Sequence, residues 1–166
     1  MNTTQPIRRK RLPKETGYEP SKSRFERLRQ YVDRPISKNF NIDDIHWVTD
    51  RIGITDYEGS TEAVIKGYYV INVASEVPSS ADILIDINPG FGNVKQCLNK
   101  LADQMEKILT STDNKIVVHC AMGMERSPLT VVWYLHKYLG MTLDEAYSIV
   151  SSSRESTIDR RSWVHM

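Results

Sequence analysis

The chain has 166 residues, 40% of them apolar and 26% charged, enough for one ordinary buried core and unlike a fibrous or low-complexity sequence. Its 22 Lys and Arg against 21 Asp and Glu leave a net charge of +1, so the overall balance gives no reason to expect a nucleic-acid partner. No apolar run approaches the roughly 18 residues that span a membrane, the N-terminus lacks the apolar stretch of a signal peptide, and two cysteines, Cys97 and Cys120, are too few for a disulfide scaffold; a cytoplasmic location, in a reducing compartment, is the expectation.

Residues 1–22 read as a basic tail, with Arg8, Arg9, Lys10, Arg11, Lys14 and Lys22 and with Pro6, Pro13 and Pro20 breaking any helix. Residues 23–43 form an N-terminal extension in which Ser23–Val32 suits one short helix. From residue 44 strand and helix signals alternate. His46–Ile54 has strand character. Ser60 can cap a short helix through Ile65 that Gly67 ends. Tyr68–Ala74 and Ala81–Ile87 are apolar, strand-like runs. Val94, Leu98, Leu101, Met105, Ile108 and Leu109 then recur at helical spacing. Lys115–His119 is a buried-type strand of β-branched residues. Pro128 suits the first turn of a helix that stops at Gly140, and Thr142 with Glu145 reads as a capping box opening another through about Ser152. The alternation predicts an α/β domain, a small central, largely parallel sheet flanked by helices.

The segment between that β-branched strand and the following helix is His-Cys-Ala-Met-Gly-Met-Glu-Arg-Ser-Pro, residues 119–128. A strand-to-helix turn lies at the carboxyl edge of the sheet, where α/β proteins bind ligands. Consecutive backbone N–H groups from Ala121, Met122, Gly123, Met124, Glu125 and Arg126 can point inward there, and the helix N-terminus adds partial positive charge. The result is a cradle for a phosphate. Gly123 permits a backbone conformation other residues resist, and the planar fork of Arg126 matches two phosphate oxygens. Donors that hold phosphate also favour a thiolate, so Cys120 is the candidate nucleophile. Ser127 can donate a hydrogen bond to the departing thiolate, and His119 can orient the loop. An inward-pointing Glu125 carboxylate would repel phosphate, so that side chain is expected to face outward. The segment has no Gly-Lys-Ser/Thr of a nucleotide-binding loop.

The run HCAMGMERSP resembles the signature of the protein tyrosine phosphatase superfamily, and its Arg-Ser-Pro ending resembles the dual-specificity branch. WVTDRIGITDYEGS and GYYVINVASEVP resemble the opening strands of that branch, and SSSRESTI its closing helix region. The resemblance covers residues 44 to 163 and makes 44–166 a catalytic domain. It implies the family's fold, a phosphorylated protein as substrate, and a two-step mechanism through a phosphocysteine that needs no metal and no cofactor.

Cleaving the P–O bond also needs an acid for the leaving oxygen. In the resembled family this is an Asp on a loop some 30 residues before the cysteine. Asp86 stands at the end of the Ala81–Ile87 run, before the loop Asn88-Pro-Gly-Phe-Gly92; Asp82, at the start of that run, is the competitor. Cys97 reads as a small core residue on an amphipathic helix rather than a redox partner. His46, His136 and His165 have no evident partners and read as structural or exposed, and Trp47, Trp133 and Trp163 read as packing residues. Phosphoinositide phosphatases of the superfamily tend to carry lysines inside the loop, which this one lacks; an RNA 5′-triphosphatase and a phosphate-binding module without turnover are the remaining alternatives. Oligomeric state is not encoded in any pattern here.

Overall fold

The computed structural model of the protein describes residues 35–166; the expected basic tail over 1–22 and the short helix over 23–32 lie outside the described residues. Five strands, β1 (His46–Trp47), β2 (Ile52–Thr55), β3 (Tyr69–Asn72), β4 (Ile83–Leu84) and β5 (Ile116–His119), form one sheet in the order β1-β2-β5-β3-β4. Only β1 is antiparallel to its neighbour; the other pairings are parallel. The four helices of the described residues are α1 (Gly59–Ile65), α2 (Val94–Ser111), α3 (Arg126–Leu139) and α4 (Leu143–Ser153), with short 3-10 turns at Pro89–Phe91 and Arg161–His165.

Alternation along the strands decides which helix covers which face. Ile52 and Ile54, Ile71 and Val73, and Ile116 and Val118 point into the main core. There they meet Leu98, Leu101 and Met105 of α2, Leu129, Val132 and Leu135 of α3, and Ala146 and Val150 of α4. Val70 and Val117 point to the opposite face and pack on Ala63 of α1. β5 is buried along its whole length because both its faces are covered, which is why it reads as an unbroken apolar run.

The expected strand over His46–Ile54 is instead two strands joined by a turn. Thr49 sets the turn, its Oγ1 accepting the N–H of Arg51 (3.1 Å) and of Ile52 (3.0 Å), while Val48 N–H donates to Ile52 O (2.8 Å). The strand expected over Ala81–Ile87 shortens to two residues, although Ile85 and Ile87 still donate to Asn72 O and Val73 O. Ser60 does not cap α1: its hydroxyl donates to Tyr57 O (2.6 Å), and Asp56 Oδ1 accepts the Gly59 N–H (2.7 Å) instead. The capping box at Thr142 and Glu145 forms as expected, and α3 ends at Gly140 with φ +71°.

The chain order places β5 last but in the middle. It slides between β2 and β3, so the loop leaving its carboxyl end is flanked by the segments that follow both neighbours. A third small cluster, Ile36, Phe40 and Ile42 with Met122, Met124 and Ile158, packs the segment before β1 against the outside of that loop.

Candidate active site

The loop from Cys120 to Arg126 is shaped by what holds its carbonyl groups. Ala121 O accepts the Tyr57 N–H (3.0 Å) and Met124 O accepts the Ile158 N–H (2.8 Å). Between them, Met122 O accepts from Arg154 Nη2 (3.0 Å) and Gly123 O from Arg154 Nε (2.8 Å). In a trans peptide the C=O and the following N–H point in opposite directions, and the described residues contain no cis bond. Four carbonyls pinned to outer partners therefore turn the N–H groups of Met122, Gly123, Met124 and Glu125 the other way, toward Cys120. The Gly123 N–H does reach Cys120 Sγ, at 3.3 Å. Such a set of converging amides is an anion cradle.

Gly123 has φ +68°, and a Cβ there would stand 2.6 Å from both Thr55 O and Arg154 Nη2. Backbone conformation and packing both demand glycine at this position.

Arg154 is fully buried. Besides the two loop carbonyls, its guanidinium donates to Ile42 O (2.9 Å), to Asp44 O (3.3 Å) and to His46 Nδ1 (2.6 Å). A buried cation is tolerable only when its donors are satisfied in this way. His46 must stay neutral to accept from it. Burial, helped by the adjacent guanidinium, holds the His46 pKa down at about 4, and its ring stacks on Phe40 at 4.9 Å. The expectation that His46 has no partner is thus corrected: the partner comes from a residue more than a hundred positions away. His136 likewise has one, its Nδ1 lying 2.7 Å from Met141 O, whereas His165 is exposed.

Cys120 is buried at the floor of the cradle, 3.3 Å from Ser127 Oγ, which is itself fully buried at the start of α3. His119 Nδ1 lies 3.0 Å from Cys120 O and Nε2 3.0 Å from Ser79 Oγ. A carbonyl can only accept, so Nδ1 carries the proton and Nε2 accepts from the Ser79 hydroxyl. Burial, the larger effect, pushes the His119 pKa down and keeps the ring neutral.

Glu125 faces outward, as expected, with its carboxylate paired to Arg160 (2.9 Å to Nε, 2.6 Å to Nη2). Arg126 Nη1 donates to Glu76 Oε1 (2.9 Å) and Nη2 to Glu76 Oε2. Asp86 lies beside the same turn, its Oδ1 accepting the Ser75 N–H at 2.9 Å. Asp82 is elsewhere, its carboxylate accepting the Val70 N–H (2.8 Å) in β3. The structure thus gathers His119, Cys120, Asp86, Arg126 and Ser127 at one edge of the sheet and leaves Asp82 away from it. Cys97, half-buried on α2, packs against the main core.

Three contributors escape sequence reasoning. Ser79 and Glu76 lie in a polar stretch with no motif, and Arg154 looks like any surface arginine after a serine-rich helix end. The only signal for Arg154 was the likeness of SSSRESTI to a family segment.

A family model described as "Dual specificity phosphatase, catalytic domain" matches residues 60–166, more than half of the chain. The chain is 31% identical over 93 residues to dual specificity protein phosphatase 16 of Homo sapiens, which covers 52% of this chain and 14% of that protein. Among solved structures, human DUSP28 superposes with a TM-score of 0.62 at 17% identity, covering 72% of this chain and 86% of the other. A mouse putative dual specificity phosphatase complexed with zinc tungstate gives 0.63 at 19%, covering 78% and 86%. At these identities the superpositions establish a shared fold.

Proposed function

Because the chain belongs to the dual specificity phosphatase family, we propose that it is a phosphatase of protein substrates, with residues 44–166 as its catalytic domain. Phosphotyrosine, with phosphoserine and phosphothreonine, is the substrate class, and the cytoplasm its setting. Among the described residues no helix is long and apolar enough to cross a membrane. The observation that supports the reading is the set of loop amides turned toward Cys120 by their pinned carbonyls, with the Gly123 N–H 3.3 Å from Cys120 Sγ.

In the first step the Cys120 thiolate attacks phosphorus, a P–S bond forms, and the P–O bond to the substrate breaks. The amides of residues 121–126 and the Arg126 fork carry the phosphoryl charge. Asp86 gives its proton to the leaving oxygen. In the second step a water attacks phosphorus, its proton passes to the Asp86 carboxylate, and the sulfur leaves as thiolate, stabilised by the Ser127 hydroxyl at 3.3 Å. No step calls for a metal or cofactor. The side chains of the loop supply no ammonium group, which disfavours inositol polyphosphates.

The test is a panel of phosphotyrosine, phosphoserine and phosphothreonine peptides run against phosphoinositides and a triphosphorylated RNA end. Peptide hydrolysis is expected to dominate, and Cys120→Ser is expected to abolish turnover while still binding inorganic phosphate. Preference for the RNA end or the inositol head group would overturn the substrate class. Hydrolysis by Cys120→Ser near the parent rate would overturn the mechanism.

A further inference from the structure

The loop from Cys120 to Arg126 is also held from outside, by a segment that takes no part in the reaction. Residues 36–42 precede β1, and Ile36, Phe40 and Ile42 cover Met122 and Met124 of the loop. Two consecutive residues after α4 fasten this segment. Arg154 Nη2 donates to Ile42 O (2.9 Å), and the same nitrogen donates to Met122 O. The Phe40 ring lies against that guanidinium, with 5.8 Å from Arg154 Cζ to the ring centroid. At the other end Ser37 engages both carboxylate oxygens of Glu155: Oε1 accepts its N–H (2.7 Å) and Oε2 its hydroxyl (3.0 Å). Segment and cradle therefore share one anchor.

Ser37 is the exposed end of this arrangement. Arg34 stands three positions before it and Lys38 one position after. Protein kinases select their substrates by such charge patterns. Of the serines and threonines in the chain, only Ser37 and Thr157 have an arginine three positions earlier, and Thr157 is buried. The Ser37 hydroxyl faces a carboxylate, a place that suits a donor. Phosphorylation removes the donor and sets a charge of about −1.5 to −2 beside Glu155. A phosphate next to an acid disrupts the contact through like-charge repulsion.

We propose that Ser37 is a phosphorylation site for a protein kinase that reads an arginine three residues before its target, and that the phosphate lifts residues 36–42 off the loop and loosens the cradle. The γ-phosphoryl group of a nucleoside triphosphate passes to Ser37 Oγ. That O–P bond forms, the bond to the nucleoside diphosphate breaks, and the hydroxyl proton leaves through the kinase. Local opening presents Ser37 to the kinase, because its neighbour Ile36 is buried in the docked segment. The phosphate then blocks redocking. Release uncovers Met122 and Met124 and takes the Ile42 carbonyl from Arg154, the peg of Met122 O and Gly123 O. The effect on the cradle rests on the phosphatase reading; the release of the segment does not.

The test uses the full chain carrying Cys120→Ser, which cannot remove its own phosphate. It is incubated with MgATP and a kinase selective for arginine three residues before serine, and the sites are mapped by mass spectrometry. Phosphate is expected at Ser37 and is expected to be lost in Arg34→Ala. An unmodified Ser37, or uptake indifferent to Arg34→Ala, would overturn the site. The phosphorylated and unmodified chains are then compared by amide hydrogen exchange and by calorimetry with inorganic phosphate. Exchange should quicken over residues 37–42 and 122–124, and phosphate binding should weaken by about fivefold or more, the lower end of coupling between two sites. Glu155→Gln removes the repelling charge, so its phosphorylated form should recover part of the affinity, which a merely structural loss would not. Unchanged exchange and affinity after phosphorylation would overturn the switch. If exchange quickens over 37–42 while neither the parent nor Cys120→Ser binds phosphate, the release stands and the reading of the cradle falls.

Discussion

The two sides of the candidate site are built differently. The phosphate side, Cys120 to Arg126, has its carbonyls pegged by Tyr57, Ile158 and the buried Arg154, and little of its backbone is free to move. The acid side, Asp86 to Gly92, is anchored at the buried Ile87, whose N–H donates to Val73 O (3.0 Å), and is joined more lightly on either side of it. Asp86 accepts one N–H, Asn88 Oδ1 accepts the Gly90 N–H (2.9 Å) within the same turn, and Phe91 is 70% exposed. Preorganised donors stabilise charge without reorganising at the moment of reaction. Proton delivery instead needs the acid to meet leaving groups of different reach, which a lightly tethered segment accommodates. The contrast implies that the phosphate side resists substitution through folding, and the acid side through chemistry alone.

The largest effect that separates the two sides is expected from Asp86→Asn. It should slow phosphotyrosine peptide hydrolysis by about 10²- to 10⁴-fold and a nitrophenyl ester much less, because a good leaving group needs no proton. The alkaline fall of the pH–rate profile should vanish, while the unfolding free energy and the affinity for inorganic phosphate stay near the parent's. Equal slowing of both leaving groups would remove Asp86 from the role and make Asp82→Asn the next variant to measure.

Gly123→Ala should behave in the opposite way. Its φ of +68° and the 2.6 Å approach to Thr55 O make any Cβ costly. A loss of about 1–3 kcal/mol in urea unfolding is expected, together with weaker phosphate binding. A variant as stable as the parent, with unchanged phosphate affinity, would show that the loop is not held as the structure shows it.

The smallest effect is a pH dependence of the outer wall. His46 is neutral in the fold with a pKa of about 4, against 6.5 for the free side chain. The unfolded chain binds a proton at His46 below about pH 6.5 and the folded chain does not, so stability is full above pH 6.5 and is lost as pH falls toward 4. The loss attached to this one residue is at most about 3 kcal/mol. His46→Gln should flatten that part of the slope in denaturation measured at pH 4.5, 5.5 and 7. An unchanged slope would assign it to His119 or to the carboxylates.

Legibility from sequence follows the range of the interactions. The gathering of Cys120, Gly123, Arg126 and Ser127 in one loop could be read because a strand-to-helix turn is a local object: spacing along one turn puts them in one place, and the β-branched strand and the Pro-led helix around it announce the turn. The capping box at Thr142 and the stop at Gly140 were readable for the same reason. Asp86 was readable only through its place at a strand end and the family resemblance. The turn inside His46–Ile54 was missed because Thr49 takes the turn's N–H groups through its side chain, which strand propensity does not register.

What the sequence alone determined is the α/β class, the apolar face of each long helix and the place of one strand-to-helix loop, all of which depend on patterns local to the chain. Tertiary structure decided the rest. It inserted β5 between β2 and β3, brought Arg154 under two loop carbonyls from 31 and 32 positions away, and set Glu76 on Arg126 across 50. A guanidinium or a carboxylate offers the same donors or acceptors wherever it stands in a chain. Only the packed fold, by burying one and leaving another at the rim, settles which becomes a peg and which a surface charge.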